Sequence, residues 1–208
     1  MRQKLFKPYL VGCAAAAVAF QVITFLSSGF ALDFRLAIFL ILLLVNAHYQ
    51  VISVENKSSF SITFPLVFPA IVFFGPAWAS VIATFGPISL DELELEWPII
   101  AFNRGSLGLA AGVSALAFQW AGGEAFLVRS LPAAVFAYSL INHGLFMVGD
   151  FLRSDQPSPD WSFLGNTLKT IVPSIALSAL FLAAYARYDV LGLIGAFFIY
   201  VVVRSGAL

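Results

Sequence analysis

Six apolar stretches, each close to the length needed to cross a bilayer, constrain what this chain can fold into more than any other feature. A helix spans the hydrocarbon core with roughly 17–25 mostly apolar residues. Tyr9 to Leu32, Leu36 to Ser53, Trp97 to Trp120, Val128 to Phe151 and Phe163 to Ala186 meet that requirement. Val190 onward meets it only by running nearly to Leu208. Of the 208 residues, 61% are hydrophobic and 11% charged, against about 25% charged in a soluble domain. So few charges cannot cover a water-facing surface. The expected fold is all-α: a polytopic transmembrane helical bundle of about six crossings plus one proline-broken element, a single integral membrane domain over residues 1–208 with no soluble output domain.

The same arithmetic excludes a soluble enzyme and a disordered segment. Eleven Lys and Arg cancel eleven Asp and Glu, so no basic excess exists for nucleic acid. A single cysteine, Cys13, precludes an intrachain disulfide and a cysteine-rich metal site. No cofactor and no metal are expected. Arg2, Lys4 and Lys7 before an apolar run look like a signal peptide, and Leu10-Val11-Gly12-Cys13 matches a lipoprotein cleavage box. The apolar stretch, however, follows Cys13, whereas a cleaved signal needs it before the cut. The first span is therefore expected to be retained.

Phe60 to Ser89 carries Pro65, Pro69, Pro76 and Pro87, with Gly75 directly before Pro76. Proline removes a backbone donor and clashes with the preceding turn, so a single straight helix is excluded. A broken helix at membrane depth persists where protein or a wet cavity satisfies its freed backbone groups. The hinge is expected among Pro65, Pro69, Gly75 and Pro76. Two arrangements follow: a kinked single crossing, or two half-helices that dip in and return. Lys and Arg favour the cytoplasmic side. A single crossing splits the eleven cations six to five, whereas the returning hairpin splits them eight to three, leaving only Arg35, Arg129 and Arg187 outside. The hairpin is the better reading, with both termini cytoplasmic. Asp91-Glu92-Leu93-Glu94-Leu95-Glu96 then reads as a solvated loop or a short amphipathic interfacial segment.

In that topology Asn46, His48, Asn103, Arg104, Asn142, His143 and Lys169 all lie roughly 9–13 Å inside the same face, with Asp150 close to the boundary. Each intramembrane polar group is a functional hypothesis. For any one of them, ordinary helix bridging or snorkelling is the commoner explanation. Together they form a candidate ligand-contacting or hydrogen-bonded network, with Asp150 expected to neutralise Arg104 or Lys169. His48 and His143 at matched depth also fit a haem-ligand pair, but no further ligands accompany them, and core histidines are the plainer reading. Gly108-Leu109-Ala110-Ala111-Gly112, Ala15/Ala19 and Ala179/Ala183 imply close helix crossings, within the bundle or in a homodimer. No glycine-elbow serine, HExxH helix or P-loop is present, so catalysis is not expected.

Phe64 to Gly86, FPLVFPAIVFFGPAWASVIATFG, resembles a segment in the membrane sensor modules of bacterial signalling proteins, which precede cytoplasmic HD-GYP phosphodiesterase or GGDEF cyclase domains. Phe102-Asn103 with the Gly/Ala-rich helix to Gly122-Gly123, and Ala137-Tyr138 with Leu140-Ile141-Asn142, are similar to the next two helices of those modules. The resemblance implies a sensor whose partner is a cytoplasmic cyclic-dinucleotide enzyme, carried in the same chain or separate. Ala15 and Ala19 are similar to the docking surface on substrate-binding membrane subunits of energy-coupling-factor vitamin transporters, which implies instead a coupling ATPase as partner. Vitamin binders open outward, whereas the polar layer here lies toward the cytoplasm. Sensing of a small-molecule ligand, or of the lipid bilayer itself, is therefore preferred to uptake.

Overall fold

The computed structural model describes residues 3–29, 33–48, 63–88, 90–153 and 162–204; side chains are described for these except 3, 48, 63–64, 91, 162–174 and 203–204. The described residues form an all-α bundle of six helices: α1 (Gln3–Ser28), α2 (Phe34–His48), α3 (Thr63–Phe85), α4 (Trp97–Trp120), α5 (Leu127–Arg153) and α6 (Ser162–Arg204). Five of them are long and apolar enough to cross a membrane, and Phe34–Ala47 is a shorter apolar helix.

Local chemistry sets the helix ends. Ser27 and Ser28 at the end of α1 turn their hydroxyls back onto the Ile23 and Thr24 carbonyls. Gly29 then leaves the helix at φ 78° while donating its N–H to the Phe25 carbonyl at 2.9 Å. Asp33 opens α2 by accepting the Arg35 backbone N–H at 2.9 Å. Pro98 occupies the first turn of α4, where its missing N–H costs nothing.

α4 is the central element, packed against α1, α3 and α5. Its inner faces are built from Gly105, Ser106, Gly108, Ala110, Ala111, Gly112, Ser114 and Ala115, all buried. Small residues let backbones approach closely, which is how helices gain packing energy where lipid offers no hydrophobic drive. The two glycines of the GxxxG serve different neighbours: Gly108 faces Ser80 and Thr84 of α3, and Gly112 faces Phe20 of α1.

α3 and α6 are each broken once. Gly75 (φ 72°, ψ −174°) divides α3, and Asp189 (φ 52°, ψ −140°) divides α6. The second half of α3 runs antiparallel to α4, with Gly75 against Gln119 and Thr84 against Gly108. A straight continuation of the first half would carry Phe68 about 10 Å beyond Gln119. Instead Phe68 is fully buried, its ring 6.1 Å from that of Phe118. The chain therefore turns sharply at Gly75 instead of continuing straight. α6 does the same: Gly192 abuts Ala184 and Tyr188, and the Phe181 and Tyr200 rings lie 6.4 Å apart. The hinge thus falls at Gly75–Pro76, while Pro69 is carried inside the first half-helix and Pro65 lies in its first turn.

Candidate functional site

The two ends of the bundle carry different chemistry. One end is marked by the starts of α1 and α4, where Lys7 Nζ lies 3.2 Å from Glu96 Oε2. The C-terminal part of α5 joins them, with the Tyr9 hydroxyl donating to the Leu145 carbonyl at 2.7 Å. The opposite end collects Gly75, the α4–α5 turn and Asp189.

At the Lys7 end the dominant feature is Arg104. Its Nε donates to Glu92 Oε1 at 2.9 Å, a second nitrogen contacts Glu92 Oε2, and Nη1 donates to the Pro87 carbonyl at 2.8 Å. Both side chains are withdrawn from solvent, 14% and 8% exposed. One guanidinium therefore ties the end of broken α3 and the following segment to α4. This decides one arm of each of two expectations. The acidic run is not wholly solvated, because Glu92 is buried in a short 3-10 turn over Asp91–Glu94. Of the two cations expected beside Asp150, Arg104 is neutralised by Glu92, and the Lys169 side chain lies outside the described residues. The cause is direction: Arg104 sits seven residues inside α4, and its long side chain snorkels back toward the helix start, where Glu92 waits.

Two other members of the expected layer are less engaged. Asn46 is 1% exposed and its Nδ2 has no hydrogen-bond partner; the Oδ1 of half-buried Asn142 is likewise unpartnered. Asn46 lies one helical turn beyond Leu43, which touches Gly86, so it stands near the level of Pro87. Tyr138 is within electrostatic reach of Arg104. Asn103 and His143 are half-buried. The side chains of His48 and Lys169 lie outside the described residues. Among the described residues no group of three or more His, Cys, Asp or Glu could hold a metal ion.

Two features escaped the sequence reading. Gln21 Nε2 donates to Ser80 Oγ at 3.2 Å and Thr84 Oγ1 at 2.9 Å, a polar link between α1 and the second half of α3. A lone Gln in an apolar run gave the only hint. At the opposite end, Arg35 joins both helix breaks. It pairs with Asp33, approaches Asp189 Oδ1 to 4.0 Å, and sets its guanidinium 5.7 Å from the Phe74 ring, next to Gly75. Tyr185 packs below, its ring 4.5 Å from Phe73. Arg35 holds the Asp33 carboxyl below the usual carboxylate range, chiefly through the side-chain hydrogen bond.

Compared with models of known families, with curated proteins and with solved structures, the chain matches none.

Proposed function

We propose that this chain is a non-catalytic signal-transduction module of a bacterial inner membrane, which binds a small or lipophilic signal, or senses the bilayer, and biases a cytoplasmic partner. The observation that carries the reading is the Arg104–Glu92–Pro87 cluster. A switch needs an element with two discrete arrangements and a signal that favours one of them. Broken α3 supplies the element. Movement about Gly75 acts on Pro87, and through Arg104 on the segment that exposes Leu90, Leu93 and Leu95. Those leucines are the surface offered to a partner.

Purification of the full chain in mild detergent, followed by mass spectrometry of co-purified ligands and proteins, tests the proposal. Recovery of a cyclic-dinucleotide enzyme supports it. A vitamin recovered with a coupling ATPase would replace it with uptake. Haem would make His48 and His143 ligands and overturn the non-cofactor reading.

A further inference from the structure

The N-terminal part of α1 and the start of α4 flank an open groove of about 540 Å³, lined by Lys7, Pro8, Val11, Glu96, Trp97 and Pro98. It lies at the boundary between the charged end of the bundle and its apolar body. We infer that this groove binds the headgroup of a zwitterionic phospholipid bearing a primary ammonium, a phosphoethanolamine lipid.

Charge complementarity selects that chemistry. Lys7 and Glu96 stand 3.2 Å apart at the rim, with side chains 70% and 67% exposed. An ion pair that exposed contributes little, so its members exchange partners at small cost. A headgroup with one anion and one cation takes both: phosphate receives the Lys7 ammonium, and the lipid ammonium donates to the Glu96 carboxylate. Charge balance is then unchanged. An anionic headgroup would satisfy Lys7 but repel Glu96. A choline headgroup carries no N–H to donate to Glu96.

The walls fit the remainder of such a lipid. Trp97 is 67% exposed at the helix end, the position at which an indole sits among headgroups. Pro8, Val11 and Pro98 provide an apolar side. Beyond them Val18, Val22, Ile23 and Leu26 continue the exposed apolar face of α1, along which an acyl chain can lie.

The test uses the full chain in nanodiscs of phosphatidylethanolamine, phosphatidylcholine and phosphatidylglycerol with matched acyl chains in equal amounts. Native mass spectrometry counts the lipids retained. Retention of phosphatidylethanolamine is expected about fivefold above the other two, the selectivity one exposed ion pair can supply. Glu96→Gln should bring it level with phosphatidylcholine, and Lys7→Gln should lower retention of all three. Both positions are exposed, so unchanged melting temperatures confirm that the variants fold. Soluble phosphoethanolamine and inorganic phosphate, added separately, distinguish lipid from free anion; equal displacement by inorganic phosphate would overturn the zwitterion assignment. So would the absence of enrichment, or enrichment that survives both substitutions. None of these failures touches the signalling proposal, which rests on Arg104 and Glu92.

Discussion

Arg104 is a cation held away from water, and its value to the fold lies in the match between its donors and the acceptors around it. Glu92 takes two of them and the Pro87 carbonyl a third. Removing one member of a buried pair leaves the other uncompensated, at a cost of about 3–5 kcal/mol. Glu92→Gln is therefore expected to lower the melting temperature of the detergent-solubilised protein sharply. Replacing both residues with apolar ones of similar volume, Arg104→Met with Glu92→Leu, should recover much of the loss. A single substitution that melts like wild type would show the pair to be screened by water. Asp33 behaves differently because it is nearer solvent. Its carboxyl titrates below its unfolded-state value, so its contribution is present above about pH 4 and is lost as pH falls through the lower folded-state value. Asp33→Asn should cost at most about 1 kcal/mol at neutral pH. The melting difference from wild type should narrow steadily as pH is taken below about 4. A difference that does not change with pH would overturn the charge account, since Asn retains the capping oxygen.

Among the elements, α3 is the one whose shape the sequence announced most clearly. Gly75 next to Pro76 supplied both a residue free to take positive φ and one suited to begin a new helix. Pro69 did not make the break, since helix geometry continues through it to Phe74. At φ 72° and ψ −174° any side chain is strained by about 1–3 kcal/mol. Gly75→Ala should destabilise by that amount, although an added Cβ would meet only Gln119 Nε2 at 3.6 Å. Gly144→Ala, on α5 with open space around it, serves as the control and should be neutral or stabilising by up to about 1 kcal/mol. Equal melting of the two would remove strain from the account of α3. The break in α6 was legible only as the gap between two apolar stretches, because Asp189, although a residue type that tolerates positive φ, has no Gly or Pro beside it to mark a turn. Glu92 was illegible for a different reason. In Asp-Glu-Leu-Glu-Leu-Glu every carboxylate has the same local surroundings, and only the path from Pro87 into α4 decides which one meets Arg104.

For the molecule as a whole, apolar run length and composition sufficed for the all-helical bundle, whereas the pairing of helices depended on contacts no run length records. Gly105 against Ala14, and Gly112 against Phe20, set α1 and α4 parallel. Ser114 Oγ donating to the Ala134 carbonyl at 2.7 Å, together with Arg129 Nε donating to the Ala121 carbonyl at the turn, sets α5 antiparallel to α4. Those relations place Lys7, the 90–96 segment and Arg153 at one end, and Arg35, the α4–α5 turn and Arg187 at the other. Cations favour the cytoplasmic face, so the Lys7 end is expected inside. Cys13 is the sole cysteine and is buried, which makes the orientation accessible to labelling. In a Cys13→Ala background, Glu124→Cys should react with a membrane-impermeant maleimide in intact cells. Glu94→Cys should react only after the cells are permeabilised. Both positions are exposed, so a failure to react reports sidedness rather than burial. Reaction of both in intact cells would place the 90–96 segment outside. The second half of α3 would then no longer return to the cytoplasmic face, and the route from Gly75 through Arg104 to a cytoplasmic partner would be lost with it.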